Sequence, residues 1–127
     1  MKVIAKSNFV HQTPRKLRLV ANQIRGLKVE MAQTLLENLN KKAAQPLLLT
    51  LKQAVGNAVG NFHLKKESLM IEKLMIGKGP VNKRGRAAAR GRWHPVLKRA
   101  SHITLVLEGE EKKVIKRRQN GSKSYYF

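Results

Sequence analysis

Apolar residues recur at helical spacing in three segments of the first half of the chain. The first segment starts at Thr13-Pro14, where a hydroxyl that can cap free amides precedes a proline suited to the first helical position, and Gly26 supplies its end. Its apolar positions are Leu17, Val20, Ala21 and Ile24. A second helix is predicted over about residues 29–39, with inward positions at Val29, Ala32, Leu35, Leu36 and Leu39.

The third segment has the strongest helical pattern, and Asn40 is its predicted cap. Its apolar stripe consists of Ala44, Leu47, Leu48, Leu51, Val55, Ala58, Val59 and Phe62. Pro46 would remove a hydrogen bond from the interior of this helix, so the helix either restarts there or bends. Gly56 and Gly60 lower helix stability, which predicts that another backbone packs closely against them.

The second half of the chain carries strand patterns. Residues 69–76 are rich in Leu, Ile and Met, and residues 101–107 alternate, with Ile103, Leu105 and Leu107 on one face. These two segments should pair, and residues 2–5 are a candidate third strand. The prediction is a single α+β domain over residues 1–108, with three helices packed on a small antiparallel three-stranded sheet. Residues 109–127 are predicted to form a basic tail that is flexible when free.

The segment between the two strands, residues 77–100, has too few large apolar side chains for a core of its own. It contains four glycines and eight cations but no acid; the cations are Lys78, Lys83, Arg84, Arg86, Arg90, Arg92, Lys98 and Arg99. As a protruding β-hairpin that turns near Ala88, it would carry its tip roughly 30 Å from the core at ~3.3 Å per residue. Such a hairpin is marginally stable alone, so its shape should depend on a partner; a disordered basic loop is the alternative.

The charge of the chain indicates what that partner is. The 127 residues include 27 Lys and Arg against 7 acids, all of them Glu, for a formal net charge of +20. Nucleic acid is the expected partner of such a surface. On the first helix, Arg15, Lys16, Arg18 and Arg25 lie opposite the apolar stripe and are predicted to contact RNA phosphates, unless that face is merely solvated. Trp93 and His94 are candidates for stacking on bases, although Trp93 could instead close the edge of the core.

Several classes of function are excluded by residue types. The chain has no cysteine, and its four histidines, His11, His63, His94 and His102, are far apart, so no metal site is predicted. It has no Asp and no pair of Glu at a spacing that argues for catalysis, so no enzyme, cofactor or small-molecule substrate is expected.

No apolar stretch approaches the ~20 residues of a membrane span. The start of the chain lacks a secretion signal, which predicts a cytoplasmic protein.

Five motifs lie, in order, at residues 13–26, 40–44, 57–61, 79–84 and 97–104. Together they resemble the bacterial-type large ribosomal subunit protein twenty-two family, and the resemblance covers about residues 2–108. It implies a structural constituent of the large ribosomal subunit that binds large-subunit rRNA and neighbouring ribosomal proteins and ties rRNA domains together during assembly. It also implies that the hairpin tip lines the nascent-peptide exit tunnel and meets the nascent polypeptide. By position, that tip consists of Ala87, Ala88, Ala89 and Arg90.

The chain departs from the family pattern at three places. Ala87-Ala88 stands where Pro-Arg is common, and Lys78 stands where an acid is usual. Trp93-His94-Pro95 replaces a small, charged stretch, which leaves open whether the return strand pairs there, because proline cannot donate to a ladder. Without the resemblance, the alternative function is a DNA-binding architectural protein that would insert Trp93 or Pro95 into a minor groove as a wedge.

Overall fold

Three helices and three strands account for most of residues 1–112, the part of the chain that the computed structural model describes. The strands are β1 (Lys2–Val10), β2 (Met70–Ala87) and β3 (Trp93–Glu108), and the helices are α1 (Pro14–Ile24), α2 (Val29–Asn38) and α3 (Ala44–Gly60). The predicted α+β class is therefore confirmed. Most of the predicted tail, residues 113–127, lies outside the described residues.

The sheet is antiparallel, with strand order β1-β3-β2, so β3 is central. Because side chains alternate along a strand, one face collects the apolar positions. Val3, Leu107 and Ile71 form one row across the three strands and Ala5, Leu105 and Leu74 the next, all of them buried. The helices cover this face, as the alternation at residues 101–107 predicts.

Helices α1 and α2 follow the sequence prediction closely. The buried face of α1 is Pro14, Leu17, Val20, Ala21 and Ile24, and that of α2 is Val29, Ala32 and Leu36. The Thr13 hydroxyl makes no capping hydrogen bond, although the Thr13 carbonyl accepts the Leu17 N–H at 3.2 Å. Gly26 follows α1 with a φ of +80°, a left-handed conformation that favours glycine and ends the helix.

Helix α3 begins at Ala44 rather than after a cap at Asn40, so that predicted boundary is wrong. Pro46 is consequently the third helical residue, within the first turn, where a backbone N–H would have no partner inside the helix. The chain therefore needs neither a restart nor a bend at Pro46. At 17 residues α3 is the longest helix of residues 1–112, and no helix in that range is long and apolar enough to cross a membrane.

Two other predictions about α3 are wrong. Phe62 lies beyond the end of the helix and is 40 % exposed, whereas Thr50 and Ala54 belong to the buried face. A methyl group built on Gly56 or Gly60 would meet nothing within 4 Å, so no backbone packs against these glycines. Both are on the open side of the helix, because the apolar stripe of α3 turns the opposite side toward the sheet.

The first residues of the predicted tail pair with the domain. The Met1 ammonium donates to the Gly109 carbonyl at 2.9 Å, and the Gly109 N–H donates to the Met1 carbonyl at 3.1 Å. Lys65 donates its N–H to the Glu110 carbonyl, and Lys112 donates to the carbonyl of His63. Residues 109–112 therefore extend the folded unit past the end of β3.

We expect Gly56→Ala to raise the free energy of unfolding by about 1 kcal/mol, because alanine has the higher helix propensity and the site is open. Gly26→Ala is the matched control and should lower the free energy of unfolding by about 1 kcal/mol, because its left-handed backbone strains an alanine. Urea unfolding of the isolated protein measures both. Equal effects of the two substitutions would contradict the prediction.

Candidate nucleic-acid interface

Strands β2 and β3 continue past the core as a two-stranded ladder. Their pairing runs from Val81 opposite Arg99 to Ala87 opposite Trp93, and every residue from 81 to 95 is exposed. Pro95 lies opposite Gly85 within this ladder, so the return strand does pair through the unusual Trp93-His94-Pro95 stretch. The basic segment is thus an ordered hairpin, and its residues 81–95 contribute nothing to the hydrophobic core.

The turn of the hairpin is centred on Arg90. Ala88 donates its N–H to the Arg92 carbonyl at 2.7 Å, and Arg90 and Gly91 have φ values of 58° and 69°. The turn therefore lies two residues beyond the predicted position at Ala88, and Ala87 is the last residue of β2. The two left-handed residues, Arg90 and Gly91, set the position of the turn, and the composition of the segment does not reveal it. Arg90 is the one cation at the apex, in a conformation unusual for a residue with a side chain.

Trp93 lies across the opposite strand over Gly85. A methyl group built on Gly85 would overlap the indole ring, so only glycine leaves room for it. An aromatic ring placed over a cross-strand glycine covers backbone that would otherwise be bare. Trp93 nevertheless remains 73 % exposed, so it does not close the edge of the core and its outer face is free to stack.

A bulge marks the base of the hairpin. Between the Lys78–Ser101 and Val81–Arg99 pairs, Gly79 and Pro80 of β2 face the single residue Ala100 of β3. A methyl group on Gly79 would lie 2.9 Å from the Ala100 carbonyl carbon, so the two backbones need glycine here. Proline is tolerated because the bulge requires no donor from it, and bulges bend the strand that carries them.

Two of the four cations predicted on α1 help to cover the free edge of β2. Arg18 donates to the Ile76 carbonyl at 3.1 Å, and Arg25 donates to the Leu74 carbonyl at 2.8 Å. The turn after α1 completes the coverage, since Ile71 exchanges hydrogen bonds with Gly26 and Leu27. These arginines thus anchor α1 to the sheet edge while keeping further donors for a ligand.

The remaining α1 cations differ in position, and only Lys16 faces a groove between α1, the α2–α3 loop and the base of the hairpin. The groove has a volume of about 1200 Å³. Its basic lining residues are Lys16, Lys41, Lys42, Arg84, Lys98 and Arg99. Lys41 and Lys42 are not among the predicted site residues; a dibasic pair just before a helix was the available signal, but only the fold brings it beside the hairpin. Arg15 is exposed on α1 and does not line the groove.

The carboxylates of the domain lie elsewhere. Within residues 1–112 the ion pairs are Lys2 with Glu72 and Lys52 with Glu37, and neither is on the hairpin or in the groove. The hydrogen bond to Glu72, together with the charge of that carboxylate, raises the pKa of Lys2. The cations of the hairpin and groove have no such partner in the described part of the chain. They form a surface that an external polyanion can neutralise.

Comparisons with known proteins agree on one family. The model of the family described as ribosomal protein L22p/L17e matches residues 5–108. A protein of Mycoplasma capricolum subsp. capricolum named large ribosomal subunit protein uL22 is 40% identical over 111 residues, covering 87% of this chain and all of its own length. The protein of the same name from Buchnera aphidicola subsp. Cinara cedri is 42% identical over 124 residues, covering 98% of each chain. The second alignment extends past residue 108, so this relative also matches part of the segment that follows β3.

We expect Arg25→Ala to lower the free energy of unfolding by about 1 to 2 kcal/mol, because it leaves an edge carbonyl of β2 without its charged donor. Arg15→Ala, near the start of α1 and without such a contact, should change the free energy of unfolding by less than about 0.5 kcal/mol. Urea unfolding at neutral pH compares the two variants. Equal losses would mean that the Arg25 contact does not stabilise the sheet edge.

Trp93 is the only tryptophan of the chain, so its fluorescence reports on the hairpin alone. Gly85→Ala should displace the indole and lower its fluorescence anisotropy, because the added methyl group occupies the position of the ring. Gly77→Ala is the control, since its methyl group would only touch the His102 Cβ at 3.9 Å. The same anisotropy in both variants would contradict the Trp93–Gly85 packing.

Proposed function

This chain belongs to the ribosomal protein L22p/L17e family, and from that premise we propose that it binds large-subunit rRNA through its hairpin and its basic groove. Members of this family are structural, non-enzymatic proteins of the large ribosomal subunit. The bacterial relatives indicate a place in the ribosomes of the cytoplasm. Its partners are accordingly rRNA and other ribosomal proteins.

The observation that carries the proposal is the set of uncompensated cations on a hairpin without a core. Residues 77–100 hold eight Lys and Arg and no acid, and the side chains of residues 81–95 are exposed on both faces of the ladder. Packing within an exposed two-stranded ladder of this length contributes little to its stability. Phosphates on both sides would neutralise the charge and hold the ladder in place.

The same geometry supports a role in joining separate rRNA segments. The groove lies at the base of the hairpin, whereas Arg86, Arg90 and Arg92 lie at its far end. Arg99 of the groove pairs with Val81, and about six residues of ladder separate Val81 from Ala87 beside the turn, or roughly 20 Å at ~3.3 Å per residue. Cations that far apart, such as Arg99 at the base and Arg90 at the turn, can engage different RNA segments at once, which would tie them together during assembly.

The hairpin tip is proposed to form part of the wall of the nascent-peptide exit tunnel. The resemblance stated for the sequence implies this position, and the form of the turn supports it, since Ala88 and Ala89 are small and uncharged and Arg90 is at the apex. Small side chains would leave a passage open, and one cation would present a positive charge to a passing polypeptide. The tip residues are thus better suited to lining a channel than to binding a ligand.

The DNA-binding alternative receives less support from the hairpin. Its wedge would have to be Trp93 or Pro95, but Trp93 lies over Gly85 and Pro95 belongs to the ladder. Neither projects from the tip in the way that an inserted side chain must. Family membership also favours ribosomal RNA over duplex DNA.

The test is binding to folded large-subunit rRNA across a range of salt concentrations. Replacing Arg84, Arg86 and Arg92 together by Gln should flatten the plot of log affinity against log salt by about 0.7 to 0.9 for each phosphate that is no longer neutralised. The matched control replaces three exposed lysines far from the interface, Lys28, Lys65 and Lys66, and should change the slope less.

Duplex DNA at matched salt is the competing ligand. We expect weaker binding to DNA, because the hairpin and groove would be fitted to folded RNA rather than to phosphate charge alone. Equal affinity for DNA and rRNA, or equal changes of slope in the two triple variants, would overturn the proposed function.

A further inference from the structure

The basic groove has an apolar floor that the binding of phosphates does not explain. Leu19 and Leu97 line it and are 64 % and 44 % exposed, and the half-buried Leu39 lies beside them. Isolated exposed leucines are ordinary, but here they share one concave surface with six cations. Phosphate groups alone would cover the cations and leave the leucines in water.

Leu19 lines the groove, although the hydrophobic core does not use it. Lys16, Leu19, Val20 and Gln23 have the i, i+3, i+4, i+7 spacing of one helical face, and all four line the groove. Leu19 is not part of the hydrophobic core, which takes Leu17 from the same helix. On the other side, Leu97 is held in the β2–β3 ladder opposite Lys83. Helix α1 and the β2–β3 ladder therefore position the two leucines, and neither element needs them in order to fold.

We propose that this groove binds an unpaired nucleotide from a single-stranded or looped rRNA segment, with its base against Leu19 and Leu97 and its flanking phosphates on the surrounding cations. This inference rests on the proposed function, which supplies RNA as the partner. It adds the class of RNA element and the two side chains that select it.

An unpaired base fits this surface better than a duplex does. In an A-form duplex the base faces are stacked inside and the outside consists of ribose and phosphate, so a duplex would set polar groups against the leucines. An unstacked base offers a flat, weakly polar face that can cover them, and its burial removes apolar surface from water. Gln12, Gln23 and Asn82 also line the groove and can exchange hydrogen bonds with a base edge.

The charge of the groove argues for RNA over an apolar peptide. A peptide from a neighbouring ribosomal protein could cover Leu19 and Leu97, but it would leave the cations unneutralised unless it were strongly acidic. Within residues 1–112 no carboxylate pairs with those cations. A nucleotide supplies the apolar face and the negative charge together.

The test compares Leu19→Ala and Leu97→Ala with the control Leu49→Ala. Leu49 lies on α3 outside the groove and, at 62 % exposed, is about as exposed as Leu19. The probes are folded large-subunit rRNA, a single-stranded oligouridylate, the same oligonucleotide with abasic residues, and an RNA duplex of equal length. Each groove variant should weaken binding to rRNA and to oligouridylate by about tenfold, as expected when most of one leucine side chain no longer covers the base. The salt slope should stay unchanged, because every cation that faces a phosphate is still present. Leu19→Met should restore binding.

The control probes separate this inference from the function on which it rests. The abasic oligonucleotide and the duplex should bind wild type and groove variants alike. If Leu19→Ala and Leu97→Ala bind every probe as wild type does while the Arg84, Arg86 and Arg92 triple variant is weakened, the inference is overturned and the proposed function stands. Equal weakening of duplex and oligouridylate would also overturn it. Unchanged rRNA binding with loss of a neighbouring protein from reconstituted subunits would overturn it too, because the groove would then belong to a protein partner.

Discussion

The β2–β3 ladder is the element on which the rest of the structure depends, because the same two strands contribute to the core and form the basic hairpin. The start of β2 and the end of β3 contribute Ile71, Leu74, Leu105 and Leu107 to the buried face of the sheet. The other half of the ladder has no buried apolar side chain between residues 81 and 95. The core therefore fixes the pairing and register of a hairpin that could not fix them itself, and the Gly79-Pro80 bulge sets where one half gives way to the other.

Electrostatics divides the molecule in a similar way. All seven carboxylates are in parts of the chain other than the hairpin, and both described ion pairs of residues 1–112 are remote from it. Within the isolated protein, the close cations of the hairpin and groove repel one another, which opposes the folded arrangement. The domain tolerates this because its hydrophobic core is built from other residues. Under the proposed function, phosphates would replace this repulsion by attraction, so the same charges would favour assembly.

Helix α1 shows that basic residues of the same helix can stabilise the fold and also line a candidate binding surface. Arg18 and Arg25 complete the hydrogen bonding of an edge strand, whereas Lys16 and Leu19 line the groove from another face of the helix. Edge coverage also removes a row of free carbonyls with which another chain could pair. One short helix thus covers the sheet edge, buries its apolar stripe and forms one wall of the basic groove.

The sequence by itself determined the α+β class, the faces of α1 and α2, the pairing of the two main strands and the basic hairpin. Those features follow from local periodicity and composition, which act over a few neighbouring residues. Only the tertiary structure decided where Asn40, Phe62 and Gly56 lie, since helix ends and exposed faces depend on what packs against them. It alone decided that Arg25 reaches an edge carbonyl and that Lys42 meets the hairpin across a groove. Such contacts join residues far apart in the chain, and their geometry exists only after the core has formed.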